Sequence, residues 1–252
     1  MSGVPRSTIH DLESGESTSL QNYLQLARAL RLRPEFSFVD SRRCDPLNRQ
    51  RDAVHAAMSE AQAAHLRRAG CEVRLDEPYQ HYQFAGRGDL VAWQIAERRL
   101  LHIENRTEFP DLQDSFGRFN AKRAYLGQEL ASRAGVERWR SETHVIAALW
   151  SSDSLRIIRR HRASFESVCP SPPDSFASWW SGESPVSVGH HSTLVLFDPV
   201  TGECPAGRAW VGLGELEKLR SRYRDYADAA DRLRGSAPSR VRPGPPRRPC
   251  PA

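Results

Sequence analysis

Two short apolar runs, residues 90–95 and 100–103, flank the charged pair Glu97-Arg98 and predict a β-hairpin near the middle of the chain. With a two-residue loop, Ala96 faces Arg99 and Asp89 falls opposite Arg106. Residues two apart on a strand share a face, as do residues directly opposite across an antiparallel pair, so Asp89, Glu104 and Arg106 are predicted to point the same way. A register slip of one residue would scatter them. Around the hairpin, residues 51–69 read as a leading helix and residues 72–75 and 79–84 as strand material. A long helix is expected over 111–133, entered through Pro110 and Asp111, then a strand over 144–150 and a covering helix over 155–168. This alternation places the chain in the mixed α/β (α+β) class.

The two ends of the chain are helical in pattern. Pro5 sits in a first-turn position and predicts a helix over 5–13 that stops at Gly15. A second helix follows, with Thr18 and Gln21 as a capping-box pair and Leu20, Leu24, Ala27 and Leu30 as an apolar stripe. Residues 214–234 read as a charged helix with Leu216, Leu219, Tyr223, Tyr226 and Leu233 partly on one face, packed within the chain. Between them, prolines break residues 167–212 into loops, with Trp179-Trp180 as a hydrophobic plug and residues 193–197 as a clear strand. His190 and His191 are adjacent, and neighbours on a strand point to opposite faces, so the two cannot readily hold one ion together.

Composition changes this picture little. The net charge of +5 resides mostly in the Pro/Arg-rich segment 235–252, whose four arginines and lack of acids leave +1 for the remainder. That segment has almost nothing to bury and is expected to be disordered. Electrostatic attraction to a polyanion would then come from local patches such as Arg156, Arg159, Arg160 and Arg162, or from the tail. The five cysteines are far apart, with no CxxC pair, which disfavours a zinc ribbon or a disulfide framework. No signal peptide or membrane span is evident, and a cytoplasmic protein is expected.

The chemistry suggested by the hairpin is that of a metal-dependent phosphodiesterase. Two carboxylates on rigid strands, Asp89 and Glu104, suit a hard divalent cation such as Mg²⁺, and Arg106 would steady charge on the phosphate oxygens. An ordinary surface ion pair at the end of a strand accounts for the same residues equally simply. Asp89 followed by Glu104-Asn105-Arg106 resembles the PD-(D/E)XK pattern of restriction-endonuclease-like enzymes over residues 51–168. The resemblance implies a core of a small mixed sheet flanked by helices, a metal held by Asp89 and Glu104, and catalysis by Asp89, Glu104 and Arg106. Arg106 stands where the family usually has lysine, and a guanidinium stays protonated, so it cannot replace an amine that must change protonation state. Lys122, on the following helix, is the other source of an amine. Gln113, Arg118, Lys122 and Arg123 are candidates to face a phosphate backbone, Gln113 and Lys122 foremost, or else a solvated helix face.

The first thirty residues resemble the later half of an Xre-type (lambda-repressor-like) helix-turn-helix domain. By that resemblance residues 5–13 form the recognition helix. Arg6, Ser7, Thr8 and His10 are the candidates for contacts to double-stranded DNA, and Ile9 and Leu12 face inward. The two helices that normally precede the recognition helix are absent from this sequence. The expected organisation is a partial helix-turn-helix at 1–43, a restriction-endonuclease-like domain at 44–234 and a tail at 235–252. The expected function is a DNA-binding regulator of Xre type with weak or lost cleavage; the alternative is an active Mg²⁺-dependent endonuclease targeted by the helix-turn-helix. A homodimer is expected because such proteins pair across symmetric operators.

Overall fold

The apolar run at residues 100–103 becomes the centre of β3 (Arg99–Arg106) in a six-stranded sheet. The computed structural model describes residues 5–13, 19–30, 46–81, 84–183, 188–200, 210–216 and 219–236. The chain divides into two compact units, Met1–Cys44 and Asp45–Ala252.

In the first unit α1 (Arg6–Glu13) is followed by α2 (Leu20–Ala29). The N-cap of α2 is Ser19, whose hydroxyl accepts from the Asn22 backbone N–H at 3.4 Å. This corrects the expected Thr18/Gln21 capping box by one residue. The hydroxyl one position later caps the first turn, adding to the 2.9 Å bond from the same N–H to the Ser19 carbonyl. Thr18 and the Gly15 stop lie outside the described residues. None of the residues of α2 is buried within this structure; Leu20 and Leu30 are 56% and 58% exposed.

The second unit opens with α3 (Pro46–Arg68), then β1 (Glu72–His81), β2 (Phe84–Gln94) and β3 as an antiparallel meander. α4 (Leu112–Ala134) crosses to β4 (Ser141–Leu149), which lies parallel to β3. α5 (Ser152–Arg160), α6 (Arg162–Val168) and α7 (Asp174–Ser181) lead to β5 (Gly189–Phe197), parallel to β4, and β6 (Trp210–Gly212) closes the edge antiparallel. The last element is α8 (Tyr226–Ser236). Strand order is β1-β2-β3-β4-β5-β6, so the mixed α+β class holds. No helix among the described residues is long and apolar enough to cross a membrane.

Alternation within the strands sorts two cores. Leu90, Ala92, Leu101, Ile103, Val145, Ala147, Val195 and Phe197 pack with α3, α7 and α8 on one face. Val91, Trp93 and Leu100 meet Leu126 and Leu130 of α4 on the other, beside a cluster built with α5 and α6. β3 and β4 are therefore covered on both sides, as strands in parallel pairing require. α4 itself starts at Asp111, whose carboxylate accepts from the Asp114 N–H, and ends at Gly135, whose φ of +68° lets the chain leave the helix in the left-handed region.

Two local expectations are corrected. The hairpin has a four-residue connection, with Arg98 N–H donating to the Ile95 carbonyl and Arg98 at φ +51°, so Gln94 rather than Ala96 faces Arg99. A two-residue loop of the favoured kind needs left-handed residues that glycine or asparagine supply, and Glu97-Arg98 is neither. The register thus differs by two, which preserves the face of every side chain. The expected helix over 214–234 begins only at Tyr226. Before it, the N–H groups of Arg222 and Tyr223 donate to the Trp150 carbonyl and the Tyr223 hydroxyl donates to Asp198, which holds this stretch across the end of β4 in a non-helical path. The expected single covering helix over 155–168 is two, broken at His161.

Cys169, just after α6, offers a measurable consequence of burial. Desolvation pushes its thiol up to about 12, against the opposing charge of Arg123. A raised native value means that the fold keeps the proton while the unfolded chain loses it, so stability is full below the ordinary thiol range and falls as pH rises. From about pH 8 to about pH 10.5 this group alone is expected to remove about 2 kcal/mol of unfolding free energy. Urea melts across that range should show Cys169→Ala falling less steeply than the parent; parallel slopes would refute the assignment.

Candidate active site at the end of β3

The strand end carrying Glu104-Asn105-Arg106 is positioned by two helices from opposite faces. From α3, Gln62 and Asn105 exchange reciprocal amide hydrogen bonds of 2.9 and 3.0 Å, and Ser59 accepts from Asn105 Nδ2 at 3.0 Å. With Asn105 fastened to that face, strand alternation turns Glu104 and Arg106 to the other, toward α4. The Asp89 carboxylate accepts the Asn105 backbone N–H at 2.8 Å, which ties the end of β2 to the same point.

Asp89, Glu104 and Arg106 are thereby brought together. Arg106 bridges the acids, with Nη2 3.2 Å from Glu104 Oε2 and Nη1 3.8 Å from Asp89 Oδ2. Glu104 is fully buried, and its charge is met three ways. Lys122 Nζ of α4 donates to both carboxylate oxygens at 2.6 Å, Arg106 takes Oε2, and His102 Nε2 lies 2.8 Å from Oε1. Burial by itself raises the Glu104 pKa, but the His102 hydrogen bond and the charges of His102, Lys122 and Arg106 outweigh it and hold the carboxyl well below the usual carboxylate range. His55 of α3 reaches Asp89 Oδ2 at 3.1 Å, and that hydrogen bond raises its pKa above the ordinary value against the opposing effect of burial.

The exposed polar face expected of α4 is only partly present. Gln113 is exposed and Arg118 pairs with Asp114 at the surface, but Lys122 is 8% exposed and turned onto Glu104. Arg123 donates to the Val168 carbonyl and the Ser192 hydroxyl. Lys122 and Arg123 are therefore not free to face a phosphate backbone from a solvated surface. The reason is the sheet beneath: a buried carboxylate on β3 demands a cation, and the helix crossing over it supplies one. In the basic patch expected after β4, Arg156 pairs with Asp153, Arg162 with Glu166, and Arg159 donates to the Leu216 carbonyl.

On α1, Ser7 and His10 are exposed, Thr8 and Ile9 are half-buried, and the side chains of Arg6 and Leu12 lie outside the described residues.

Several groups at the site were not singled out in the sequence. His102 lies two before Glu104 on β3, and Glu142 and His144 are two apart on β4, in strands whose residues are nearly all buried. Polar residues at alternate positions within such strands must find partners, and that spacing was the available signal. His55, on a helix with little amphipathic contrast, carried none. Comparison of the chain with protein-family models and with curated proteins finds no match.

Proposed function

We propose that the second unit is a divalent-metal-dependent DNA hydrolase of restriction-endonuclease-like design, with Lys122 of α4 supplying the amine that Arg106 cannot. The observation that carries this reading is the contact of Lys122 Nζ with both oxygens of Glu104 at 2.6 Å, beside Asp89. The order helix, three-stranded meander, helix, parallel strand around that point supports this reading, since the resemblance implies a small mixed sheet flanked by helices. Two carboxylates on adjoining strands are a donor set suited to Mg²⁺ or Mn²⁺. An ion held by Asp89 and Glu104 would polarise a phosphate oxygen and acidify a bound water.

The chain's own groups divide the remaining work. Arg106, partly exposed between the acids, steadies charge building on the phosphate oxygens. Lys122 brings a compact ammonium where Arg106 brings a planar guanidinium, which fits it to orient a water beside the acids. His55 and the Asn105 N–H hold Asp89 in place. α1 and α2 serve in this reading as an Xre-type remnant that contacts double-stranded DNA through Arg6, Ser7, Thr8 and His10.

Purified full-length chain with Mg²⁺ or Mn²⁺ is expected to nick supercoiled plasmid, and Asp89→Ala to abolish the nicking. Metal-dependent cutting that survives Asp89→Ala would place the chemistry elsewhere. One observation favours a second reading, a DNA-binding regulator without cleavage: Glu104 is fully enclosed and both its oxygens are already engaged by Lys122. No nicking, together with DNA binding that weakens as salt rises, would support it.

A further inference from the structure

We infer that Glu142, His144 and His190 form a site for one transition-metal ion of the zinc class, separate from the acidic pair at Asp89 and Glu104. The three ligand atoms lie within 4.8 Å of one another. Glu142 and His144 are two apart on β4, so they share a face, and His190 of β5 stands in register with Glu142 on the neighbouring parallel strand. Glu142 Oε2 is 3.4 Å from His144 Nε2 and 3.6 Å from His190 Nδ1. Ligands of a tetrahedral zinc at its usual bond lengths sit about 3.4 Å apart, so both edges fit with little movement.

The polar groups behind the site anchor His144 from its inner side. His102 Nε2 lies 2.8 Å from Glu104 Oε1 and His102 Nδ1 lies 3.3 Å from His144 Nδ1, so the inner nitrogen of His144 meets a ring that is itself held by a carboxylate. The outer nitrogen, Nε2, is turned toward Glu142. That atom is fully buried and has no hydrogen-bond partner, although a carboxylate oxygen stands next to it. A buried polar atom left without a partner is unfavourable, and a cation between it and the carboxylate satisfies both. An imidazole whose other nitrogen is held by a second polar group is the usual arrangement behind a bound metal.

The surroundings fit as well. The Glu142 carboxylate lies so close to α4 at Gly127 that a Cβ there would overlap it, so the glycine makes the space the carboxylate occupies. His190 is 70% exposed on its side-chain surface and, with Glu142, lines a cleft of about 360 Å³ bordered by Arg98, Arg138 and Arg140. Two imidazoles and one carboxylate select zinc, cobalt or nickel over magnesium.

The test uses the full-length chain, stripped with chelator and titrated with Co²⁺. One equivalent should bind with the visible absorption of a four-coordinate ion; Zn²⁺ should displace it and excess Mg²⁺ should not. His190→Ala, at an exposed position, should weaken binding at least about 100-fold, beyond the usual effect of losing an outer-shell partner. Gly127→Ala, which displaces Glu142, should weaken it too, and Asp89→Ala should leave it intact. No four-coordinate band, a band unchanged in His190→Ala, or a band lost only in Asp89→Ala would each overturn the site. The Asp89→Ala arm also keeps this result independent of whether the chain cuts DNA.

Discussion

Lys122→Met is expected to reduce metal-dependent plasmid nicking by about 10²- to 10³-fold while leaving a folded protein. Methionine keeps much of the lysine stem but removes the amine that sits 2.6 Å from both oxygens of Glu104. Arg106 and His102 still face the carboxylate, so its negative charge keeps two partners and the strand end stays ordered. Lys122→Arg restores the positive charge but not the compact amine that reaches both oxygens of Glu104, so it should recover stability without recovering rate. Nicking unchanged in Lys122→Met, or fully restored by arginine, would reduce Lys122 to a counter-ion.

The largest effect on stability is expected at Glu104. Replacing it with glutamine keeps the shape but leaves Lys122 and Arg106 facing a neutral group in a buried place. Removing one partner of a buried ionic cluster costs about 3 to 5 kcal/mol, because the remaining charges lose both water and counter-charge. In a domain of this size that corresponds to a drop in melting temperature of roughly 6 to 20 °C. The double variant Glu104→Gln/Lys122→Met should recover part of the loss, since it removes the stranded ammonium together with the carboxylate. A melting temperature unchanged in Glu104→Gln, or a double variant in which the two losses simply add, would contradict the cluster described above.

Much of the site was legible before any coordinates. The hairpin read from residues 90–103 put Asp89, Glu104 and Arg106 on one face, and they lie together although the register is displaced by two residues. The displacement did no harm because strand alternation has a period of two. Lys122 reads from the sequence as an available amine on a helix face turned to phosphate or to solvent; its spacing within α4 carries no trace of the carboxylate beneath it. His190 was set aside because His191 points the other way. That argument was sound for the pair and silent about Glu142, which belongs to another strand. The helix expected from residue 214 failed where Trp150 and Asp198 capture the backbone and side chains of residues 222 and 223.

Local pattern alone determined which residues alternate on each strand, where α4 starts and ends, and that two acids and a guanidinium share one surface of the hairpin. These follow from dihedral periodicity and capping, which act over a few residues. Only the tertiary structure decided which cation meets Glu104 and which histidine meets Glu142. Lys122 is carried to β3 by the crossing of α4, and His190 to β4 by a parallel pairing reached through three intervening helices. Such meetings depend on packing between elements far apart in the chain, and the cost of burying an unpaired charge selects them only once the sheet and its covering helices have closed.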